Sequence, residues 1–554
     1  MKNESYWLFA LSNDGLSHYT TAYSQRFIND KVEHEDDNFI IMSDGLLLNK
    51  EEFVGNVSGN ITITQLLSNC FSNTSLIKRL IGPFVTVVYD KKRKEGIAFG
   101  NQTGDSSVFW GYNKTHDVLY LSNNFNVVFE KCQLSVLNEK AAHYLLTYGF
   151  IVDDSTIVDG IYRLQAGKLL RFNPEGVKVE QYHRFNFHDK REITLEEAVE
   201  KVDYLFRKAV KRCFDKDLEY GYTRHLADLS AGLDSRMTNV VAKELGYNNI
   251  INISFSQSGS DEQIIAQEVA SKLGNPLYHR SLDDATFLYD IEDNVSEEYG
   301  MAFYHGITAG RQFIRMIDVN SFGVEHSGQI GDVVISQFFN KTTSVIDINN
   351  KRNSLLLPLR YKIETNQFGS NEEYAFYTRA FQGALSTHYT KSHYIYVLSP
   401  FLDPELISFC ASLPDTIRAS HRLYWNWIDK KYPEYGKIRS SRIRHYQGMG
   451  YSRFIELCYN KVIMRIKREV MKSSGIMGLL YPSYKINNMN PFQYWYDTKE
   501  ELRDFIDNYY VKNIQLLHEY KLLSSECSKM HESSSVYDKL MCLSLLESVR
   551  CFCG

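Results

Sequence analysis

The sequence predicts three successive kinds of structure: a β-rich N-terminal part, a middle part with alternating strands and helices, and a mainly helical C-terminal part. Short β-rich runs separated by Gly, Asn and Asp turns continue to about residue 185. Strand and helix candidates then alternate, which is typical of βαβ units and a parallel sheet. After about residue 405 the apolar residues recur at helical spacing. The predicted fold class is therefore α+β followed by α/β.

Composition indicates a soluble globular protein of two or three domains. The chain has 554 residues, 44% of them hydrophobic and 23% charged. Its net charge of -5 does not indicate a nucleic-acid partner. No stretch approaches the ~18 apolar residues of a membrane-spanning helix. The apolar run within MKNESYWLFALSNDG is too short for a secretory signal, so a cytoplasmic protein is expected.

The N-terminal domain is predicted over residues 1–188. Its strand candidates are FIIMSDGLLLN, GPFVTVVYD, GIAFGN, SVFWGYN and VLYLSN. A hairpin around GIYRLQAGKLLRFNPEGVKVEQYHRF is expected to close the domain.

A second domain is predicted over residues 189–455. It begins with the helix candidate ITLEEAVEKVDYLFRKAVKRCF, capped by Thr194. The strand candidates HLADLS and NIINISFS then alternate with the helix candidates SRMTNVVAKELG and DEQIIAQEVASKLG, and SFGVEHSGQIGDVVIS repeats the strand–turn–helix pattern. A helical extension is predicted over residues 456–554, with SSECSKMHESSS as a short polar loop.

The stretch DLSAGLDSR has the composition of a phosphate-binding turn. The small residues 230–232 let the backbone approach an anion, and Ser230 and Ser235 add hydroxyl donors. Asp234 would repel a phosphate unless a cation lay between them, which indicates Mg²⁺. The alternative is an ordinary strand-to-helix turn in which Ser or Asp caps the helix.

Two further stretches favour a ligand site. HSGQIGDVVIS also places small residues and an acid, Asp332, after a strand candidate, and SGSDE (258–262) follows another strand. Because ligands of parallel sheets collect beyond the carboxyl ends of the strands, these stretches are expected to meet. His225, Tyr424, Trp425 and Trp427 are interpreted as packing residues rather than as ligand contacts.

These motifs together resemble the asparagine synthetase family. LSAGLDSR resembles its pyrophosphate loop, HSGQIGDVV its SGEGxDE-like loop, and SPFLDPELISFCASLP its PFLD motif. Upstream, DGLLLNKEEF, IGPFVTVVYD and YGFIVDDSTIVDGIYRLQAGKLL resemble its glutamine-amidotransferase domain. The resemblance implies an Ntn-hydrolase-like β-sandwich followed by a PP-loop (adenine nucleotide α-hydrolase-like) domain.

The family relationship also implies a chemistry and a set of residues. ATP would adenylate a carboxylate with loss of pyrophosphate, and an amine would then form an amide. Asp234 and Asp332 would hold Mg²⁺. The expected ATP and pyrophosphate contacts are Leu229, Ser230, Ala231, Gly232, Leu233, Asp234, Ser235, Phe255, Ser327 and Gly328.

The sequence departs from the family pattern in the N-terminal domain. The family nucleophile is a Cys next to Met1, whereas Lys2 stands there and the first cysteine is Cys70. SDG (43–45) replaces the NGE-like oxyanion loop, and Asp44 would repel an oxyanion. A glutaminase-like domain without glutaminase activity is therefore expected.

The synthetase part departs as well. Gln329 occupies the place of a Glu, and Val333 that of the Glu in DE. Neutral Gln329 cannot act as a base, which argues against aspartate as the substrate. Arg442, with Lys437 as its rival, is the candidate for the pyrophosphate-stabilising cation, although a solvated surface is the alternative for this basic run.

The leading hypothesis is an ATP-dependent amide-forming ligase acting on a small-molecule, sugar or peptide carboxylate with ammonia or an amine. Surface-polysaccharide assembly and peptide cyclisation, as in lasso peptides, fit equally well. The alternatives are ammonia-driven asparagine synthesis and a non-catalytic scaffold. The prediction includes no nucleic acid and no membrane insertion, and it leaves a homodimer open.

Overall fold

A computed structural model describes residues 5–53, 62–306, 308–337, 354, 356–363, 367–440 and 487–554. The N-terminal part contains two antiparallel sheets, with strand orders β2-β1-β8-β7-β9 and β11-β10-β6-β5-β4-β3. The strands are β1 (Tyr6–Ser12), β2 (Gly15–Ala22), β3 (Val32–Glu35), β4 (Phe39–Gly45), β5 (Phe84–Asp90), β6 (Glu95–Gly100), β7 (Phe109–Asn113), β8 (Val118–Ser122), β9 (Ile161–Arg163), β10 (Lys168–Asn173) and β11 (Gly176–Gln181).

The two sheets pack face to face around one apolar core. Alternate residues of β1, such as Trp7 and Phe9, meet Met42 of β4 and Val87 of β5 in this core. Alternation along a strand places every second side chain on the same face, which is why these positions are buried together. The predicted closing hairpin is divided between the sheets, because β9 pairs with β7 whereas β10 and β11 pair with each other beside β6.

Three helices in this part were not predicted from the strand-rich pattern: α1 (Ile63–Ser72), α2 (Phe125–Cys132) and α3 (Glu139–Tyr148). Each has a capping residue whose side chain accepts a backbone N–H: Thr62, Asn124 and Asn138. Helix α1 covers the outer face of the second sheet, and α2 and α3 cover the first.

The middle part begins with the predicted helix α4 (Leu195–Glu219), capped by Thr194 in a capping box with Glu197. A parallel sheet follows, with the order β14-β13-β12-β15-β16. Its strands are β12 (His225–Asp228), β13 (Ile250–Ser256), β14 (Leu277–Ser281), β15 (Glu325–His326) and β16 (Val397–Leu398). The predicted strands HLADLS and NIINISFS are β12 and β13, which confirms the parallel sheet.

Helices cover both faces of the parallel sheet. A π-helix (Phe376–Ala384) follows α10 (Asn371–Ala375) and precedes α11 (Ser386–Ser392). The helices are α5 (Leu233–Glu244), α6 (Asp261–Leu273), α7 (Ile291–Glu297), α8 (Thr308–Ile314), α9 (Gly331–Ile335), α10 (Asn371–Ala375), α11 (Ser386–Ser392), α12 (Pro404–Ala411), α13 (Asp415–Arg418), α14 (Arg422–Lys431) and α15 (Pro433–Gly436).

The C-terminal part is helical where it is described, with α16 (Phe492–Thr498), α17 (Glu500–Asn513), α18 (Lys521–Glu532) and α19 (Val536–Phe552). The prediction of a polar loop at SSECSKMHESSS was wrong, because most of that stretch belongs to α18. Leu523, Cys527 and Met530 recur there at helical spacing and are buried, and this apolar stripe stabilises the helix against α19. None of the helices in the described ranges is long and apolar enough to cross a membrane.

Candidate active site

The carboxyl ends of β12, β13 and β15 open onto a cavity of about 330 Å³. Residues that follow each of these strands line it, together with residues of α8 and α11. The three motifs that the sequence predicted to converge therefore contribute to one cavity, as expected for the edge of a parallel sheet.

The loop between β12 and α5 is held by its own hydroxyl groups. The backbone N–H of Ser230 donates to Ser235 Oγ at 2.9 Å, and that of Gly232 donates to Ser230 Oγ at 3.1 Å. The N–H of Ala231 donates to Glu262 Oε1 at 2.9 Å. No side chain caps α5 at Gly232, so the positive end of this 12-residue helix faces the cavity.

Most of the predicted nucleotide contacts line this cavity. They are Leu229, Ser230, Gly232, Asp234, Ser235, Phe255, Ser327 and Gly328. Ala231 and Leu233 instead point into the apolar core, where their exposed fractions are 0% and 3%. These two residues can offer backbone groups to a ligand, because their side chains are committed to packing.

The two candidate metal ligands lie side by side. The backbone N–H of Asp332 donates to Asp234 Oδ2 at 2.9 Å, and the Tyr424 hydroxyl donates to Asp234 Oδ1 at 2.6 Å. Both carboxylates line the cavity. Carboxylate oxygens are the hard ligands that Mg²⁺ prefers, so this pair suits that ion.

Two glycines allow this close approach. A Cβ atom at Gly328 would overlap the backbone between Asp234 and Ser235, and one at Gly331 would lie 2.7 Å from Asp234 Cγ. The loop after β15 therefore packs directly on the first turn of α5. This contact explains why glycine is required at both positions.

Gln329 lines the cavity, but its side-chain amide is already bonded at both ends. Nε2 donates to the Ala384 carbonyl, and Oε1 accepts from the Thr387 hydroxyl at 3.1 Å. A neutral amide fixed in this way orients its neighbours and does not exchange protons.

The two candidates for the pyrophosphate-stabilising cation are placed differently. Lys437 is exposed, is paired with Glu434, and is not among the residues that line the cavity. Arg442 lies outside the described residues. Buried Arg236 donates to the carbonyl groups of Tyr435, Ile438 and Arg439, and Ser440 lines the cavity.

Several residues at the cavity were not predicted as site residues. Tyr424, interpreted from sequence as a packing residue, is buried and also bonds Asp234. Asp228 and Lys391 line the cavity, and Glu325 lies behind them. Asp228 had a usable signal, since it directly precedes the phosphate-binding turn, but Glu325 and Lys391 are distant in sequence from any motif.

His225 lies away from the cavity, in agreement with the prediction of a core residue. Its Nδ1 is 2.7 Å from Asp217 Oδ2, and His326 Nε2 is 2.9 Å from the same oxygen. All three side chains are buried.

A small cavity between the N-terminal and middle parts of the chain is lined by Asp44 and Gly45 at the end of β4, and by Tyr299 and Tyr396 from the middle part. Asp44 accepts hydrogen bonds from Ser5 and Asn123, and Lys31 Nζ lies 3.6 Å from its carboxylate. A buried, paired carboxylate cannot stabilise an oxyanion. Burial also raises the pKa of the Cys70 thiol to about 12, so this cysteine is not an activated nucleophile.

Comparisons with known proteins agree with this organisation. The glutamine amidotransferase domain model matches residues 49–183, and the asparagine synthase model matches residues 201–334. No curated protein matches the chain.

Two solved structures are remote in sequence and in shape. Glutamine phosphoribosylpyrophosphate amidotransferase from B. subtilis, complexed with ADP and GMP, is 12% identical, with 51% of this chain and 86% of that chain covered and a TM-score of 0.22. A structure described as the allosteric regulatory enzyme of purine biosynthesis is 12% identical, with 50% and 59% covered and a TM-score of 0.21.

Such low TM-scores carry no argument about fold or activity, so the domain matches alone decide the relationship. The glutamine amidotransferase match covers most of the β-sandwich, and the asparagine synthase match covers the phosphate-binding turn and the loop with Asp332. The chain therefore contains a region similar to glutamine amidotransferase domains, followed by a region similar to asparagine synthase.

Proposed function

We propose that the protein is an ATP-dependent carbon–nitrogen ligase that adenylates a carboxylate, releases pyrophosphate and couples the acyl-adenylate to ammonia or an amine. The asparagine synthase match supports ATP-dependent ligation. The observation that carries the proposal is the pairing of Asp234 with Asp332 beside the uncapped start of α5, at the edge of a cavity of about 330 Å³.

The chemistry explains why this arrangement is needed. A carboxylate is a poor electrophile until one of its oxygens becomes part of a good leaving group. Backbone N–H groups at the start of α5 and the Ser230 and Ser235 hydroxyls would bind the phosphates. Mg²⁺, held by Asp234 and Asp332, would neutralise negative charge on the departing pyrophosphate.

The proposed substrate is a carboxylate other than aspartate, in a sugar, a peptide or another small molecule. Gln329 supports this choice, because its amide is neutral and bonded at both ends. The N-terminal domain is proposed to stabilise the synthetase part without glutaminase activity, since the SDG turn holds a buried carboxylate and Cys70 is inert.

The direct test is ATP–[³²P]pyrophosphate exchange with a panel of carboxylates, because exchange reports adenylation without an amine. We expect Mg²⁺-dependent exchange with at least one non-aspartate carboxylate, and loss of that exchange in Asp234→Asn. Exchange only with aspartate would favour asparagine synthesis. No exchange with any carboxylate, together with no ATP binding, would favour a scaffold.

A further inference from the structure

Two carboxylates and one ammonium group form a cluster at the base of the cavity, in which Glu325 and Lys391 are buried and Asp228 is partly exposed. Asp228 ends β12 and Glu325 lies on the neighbouring strand β15. Lys391 of α11 bridges them, since its Nζ contacts Glu325 Oε1 and lies 3.6 Å from Asp228 Oδ2. Glu325 has no exposed surface and Lys391 has 8%. The cluster is therefore enclosed on the side away from the cavity.

The cluster lacks one positive charge. With both carboxylates ionised, Asp228, Glu325 and Lys391 together carry a charge of about -1. Glu325 Oε2 and Asp228 Oδ1 are buried atoms without a hydrogen-bond donor. An isolated negative charge in such a place is costly, so the cluster must hold either a proton or a second cation.

The pKa of Glu325 is raised to about 8, mainly by burial and next by the charge of Asp228. The charge of Lys391 acts in the opposite direction and lowers this pKa. Burial alone would lower the pKa of Lys391, but Asp228 and Glu325 raise it. At neutral pH Glu325 therefore keeps a proton, and a cation bound beside it would displace that proton.

The cavity beside the cluster suits a small cation. Asp228 and Lys391 line it, as does His305, which is 3% exposed and whose Nδ1 has no hydrogen-bond partner among the described residues. Burial lowers the pKa of His305 to about 3, so its ring is neutral and can accept a hydrogen bond from a donor in the cavity.

Among the described residues, the other acidic side chains that line this cavity are Asp234, Asp332 and Glu262. The first two form the proposed metal site, and Glu262 accepts the Ala231 N–H. The Asp228–Glu325 pair is thus the acidic group that remains for an amine.

Helix α11 places this pair close to Gln329. Thr387, which bonds Gln329, and Lys391, which bonds Glu325, are four residues apart and so occupy one face of the helix. The neutral Gln329 cannot take a proton, whereas the carboxylates that contact Lys391, one helical turn from Thr387, can.

The geometry points to Asp228 and Glu325, held in place by Lys391, as the site that binds the amine co-substrate as its cation and accepts its proton. This inference deepens the proposed function and rests on it. Asp228 would contact the amine and is the catalytic residue, whereas Glu325 and Lys391 are positioning residues that set the charge and orientation of Asp228.

When ammonium is the co-substrate, it transfers one proton to the carboxylate pair and becomes ammonia. The nitrogen lone pair forms a bond to the acyl carbon, the bond from that carbon to the phosphate oxygen breaks, and its electron pair leaves with AMP. The second proton lost by nitrogen goes to the departing phosphate.

The first experiment measures adenylation and amide formation separately. It compares the full-length wild type with the variants Asp228→Asn and Glu325→Gln. Exchange of pyrophosphate is measured without an amine, and amide formation is measured with ammonium chloride and with hydroxylamine. We expect both variants to retain exchange while amide formation falls about 100-fold or more, the scale of a lost general base. The exposed Glu200→Gln, away from the cavity, is the matched control and should change neither activity.

The pH profile gives a second readout that a purely structural role would not change. The KM for ammonium in the wild type should fall as the pH rises towards about 8. At that pH Glu325 has already lost the proton that ammonium must otherwise displace. Glu325→Gln should lose this dependence. Equal loss of exchange and amide formation, or unchanged amide formation in both variants, would overturn the inference.

A binding experiment keeps the inference testable if no carboxylate supports exchange. Crystals of the wild type are soaked with Tl⁺, which resembles ammonium in size and charge, and anomalous scattering locates the ion. We expect a Tl⁺ site on the Asp228 carboxylate that is absent from Asp228→Asn. Absence of Tl⁺ from this place in the wild type would overturn the cation site, whereas lack of exchange alone would refute only the proposed function.

Discussion

The same two strands carry a polar cluster on each face, and the two clusters are built alike. On one face, His225 of β12 and His326 of β15 meet Asp217 of α4. On the other face, Asp228 of β12 and Glu325 of β15 meet Lys391 of α11. Alternation of side chains along a strand creates both sets.

The clusters differ in how completely their carboxylate oxygens are bonded, although His326 Nδ1 also has no hydrogen-bond partner among the described residues. Asp217 accepts the Val324 N–H and both imidazole groups, and the Phe214 ring stacks on His326 with 3.6 Å between centroids. The three side-chain ligand atoms lie within 4.8 Å of one another, as in a metal site, but they already bond each other.

Asp228 and Glu325, in contrast, each retain a buried oxygen without a donor, and their cluster opens onto the cavity. Enclosure alone therefore does not make a functional site. A buried carboxylate whose oxygens are all bonded stabilises the fold, whereas one with an unbonded oxygen beside a cavity can bind a ligand.

The largest expected effect on stability comes from breaking the cluster of Asp217, His225 and His326. Asp217→Ala removes the shared acceptor of two buried imidazoles and of the Val324 N–H, so we expect the free energy of unfolding to fall by about 3–5 kcal/mol. Urea denaturation followed by circular dichroism measures this change. A loss below 1 kcal/mol, on the scale of one ordinary hydrogen bond of ~1 kcal/mol, would contradict the structural role.

The next largest effect is expected at the contact between the loop after β15 and the first turn of α5. In Gly328→Ala, the new Cβ would overlap the backbone of Asp234 and Ser235, so overpacking should cost about 1–3 kcal/mol and displace the metal pair. Pyrophosphate exchange should fall about 100-fold, as expected for displaced catalytic groups. Gly436→Ala is the control, because its Cβ would stay 3.1 Å from its nearest neighbours. Equal exchange in both variants would be inconsistent with the described packing.

The cluster of Asp228, Glu325 and Lys391 predicts a pH effect on stability. The pKa of Glu325 is raised in the folded state, so its contribution is present at low pH and is lost as the pH rises to about 8. Relative to Glu325→Gln, the wild type should lose unfolding free energy between about pH 5 and 8, by at most about 1.4 kcal/mol per pH unit. Thermal unfolding of both proteins across this range measures the difference. A constant difference would mean that Glu325 is ionised throughout.

A smaller effect is expected from Tyr424→Phe, which removes one hydrogen bond to Asp234. The free energy of unfolding should decrease by about 1 kcal/mol, the usual value of one such bond. Exchange should require more Mg²⁺, because Asp234 loses the hydroxyl that orients it. Titrating Mg²⁺ in the exchange assay checks this, and an unchanged Mg²⁺ requirement would show that the hydroxyl does not position the carboxylate.

The smallest effect is expected from Lys437→Ala. Lys437 and Glu434 are both exposed, and exposed ion pairs contribute little to stability. Neither the melting temperature nor pyrophosphate exchange should change measurably. A large loss of exchange would instead place Lys437 in the site.

The sequence by itself determined the organisation of the chain and the identity of its main motifs. Local patterns sufficed for β12, β13, α4 and α5, because hydrophobic periodicity, small turn residues and the Thr194 cap act over short distances. They also predicted that Asp234 and Asp332 meet at one site, and the two residues do lie side by side, while their role as Mg²⁺ ligands stays a prediction.

Only the tertiary structure decided which distant side chains complete the cavity. Lys391 and Tyr424 lie more than 150 residues from the phosphate-binding turn, and each resembles an ordinary helix residue in the sequence. Chain folding brings them to Asp228 and Asp234, where burial makes each unmatched charge costly. This energetic cost depends on enclosure by several elements that are distant in sequence. No local pattern could therefore show which side chains complete the cavity.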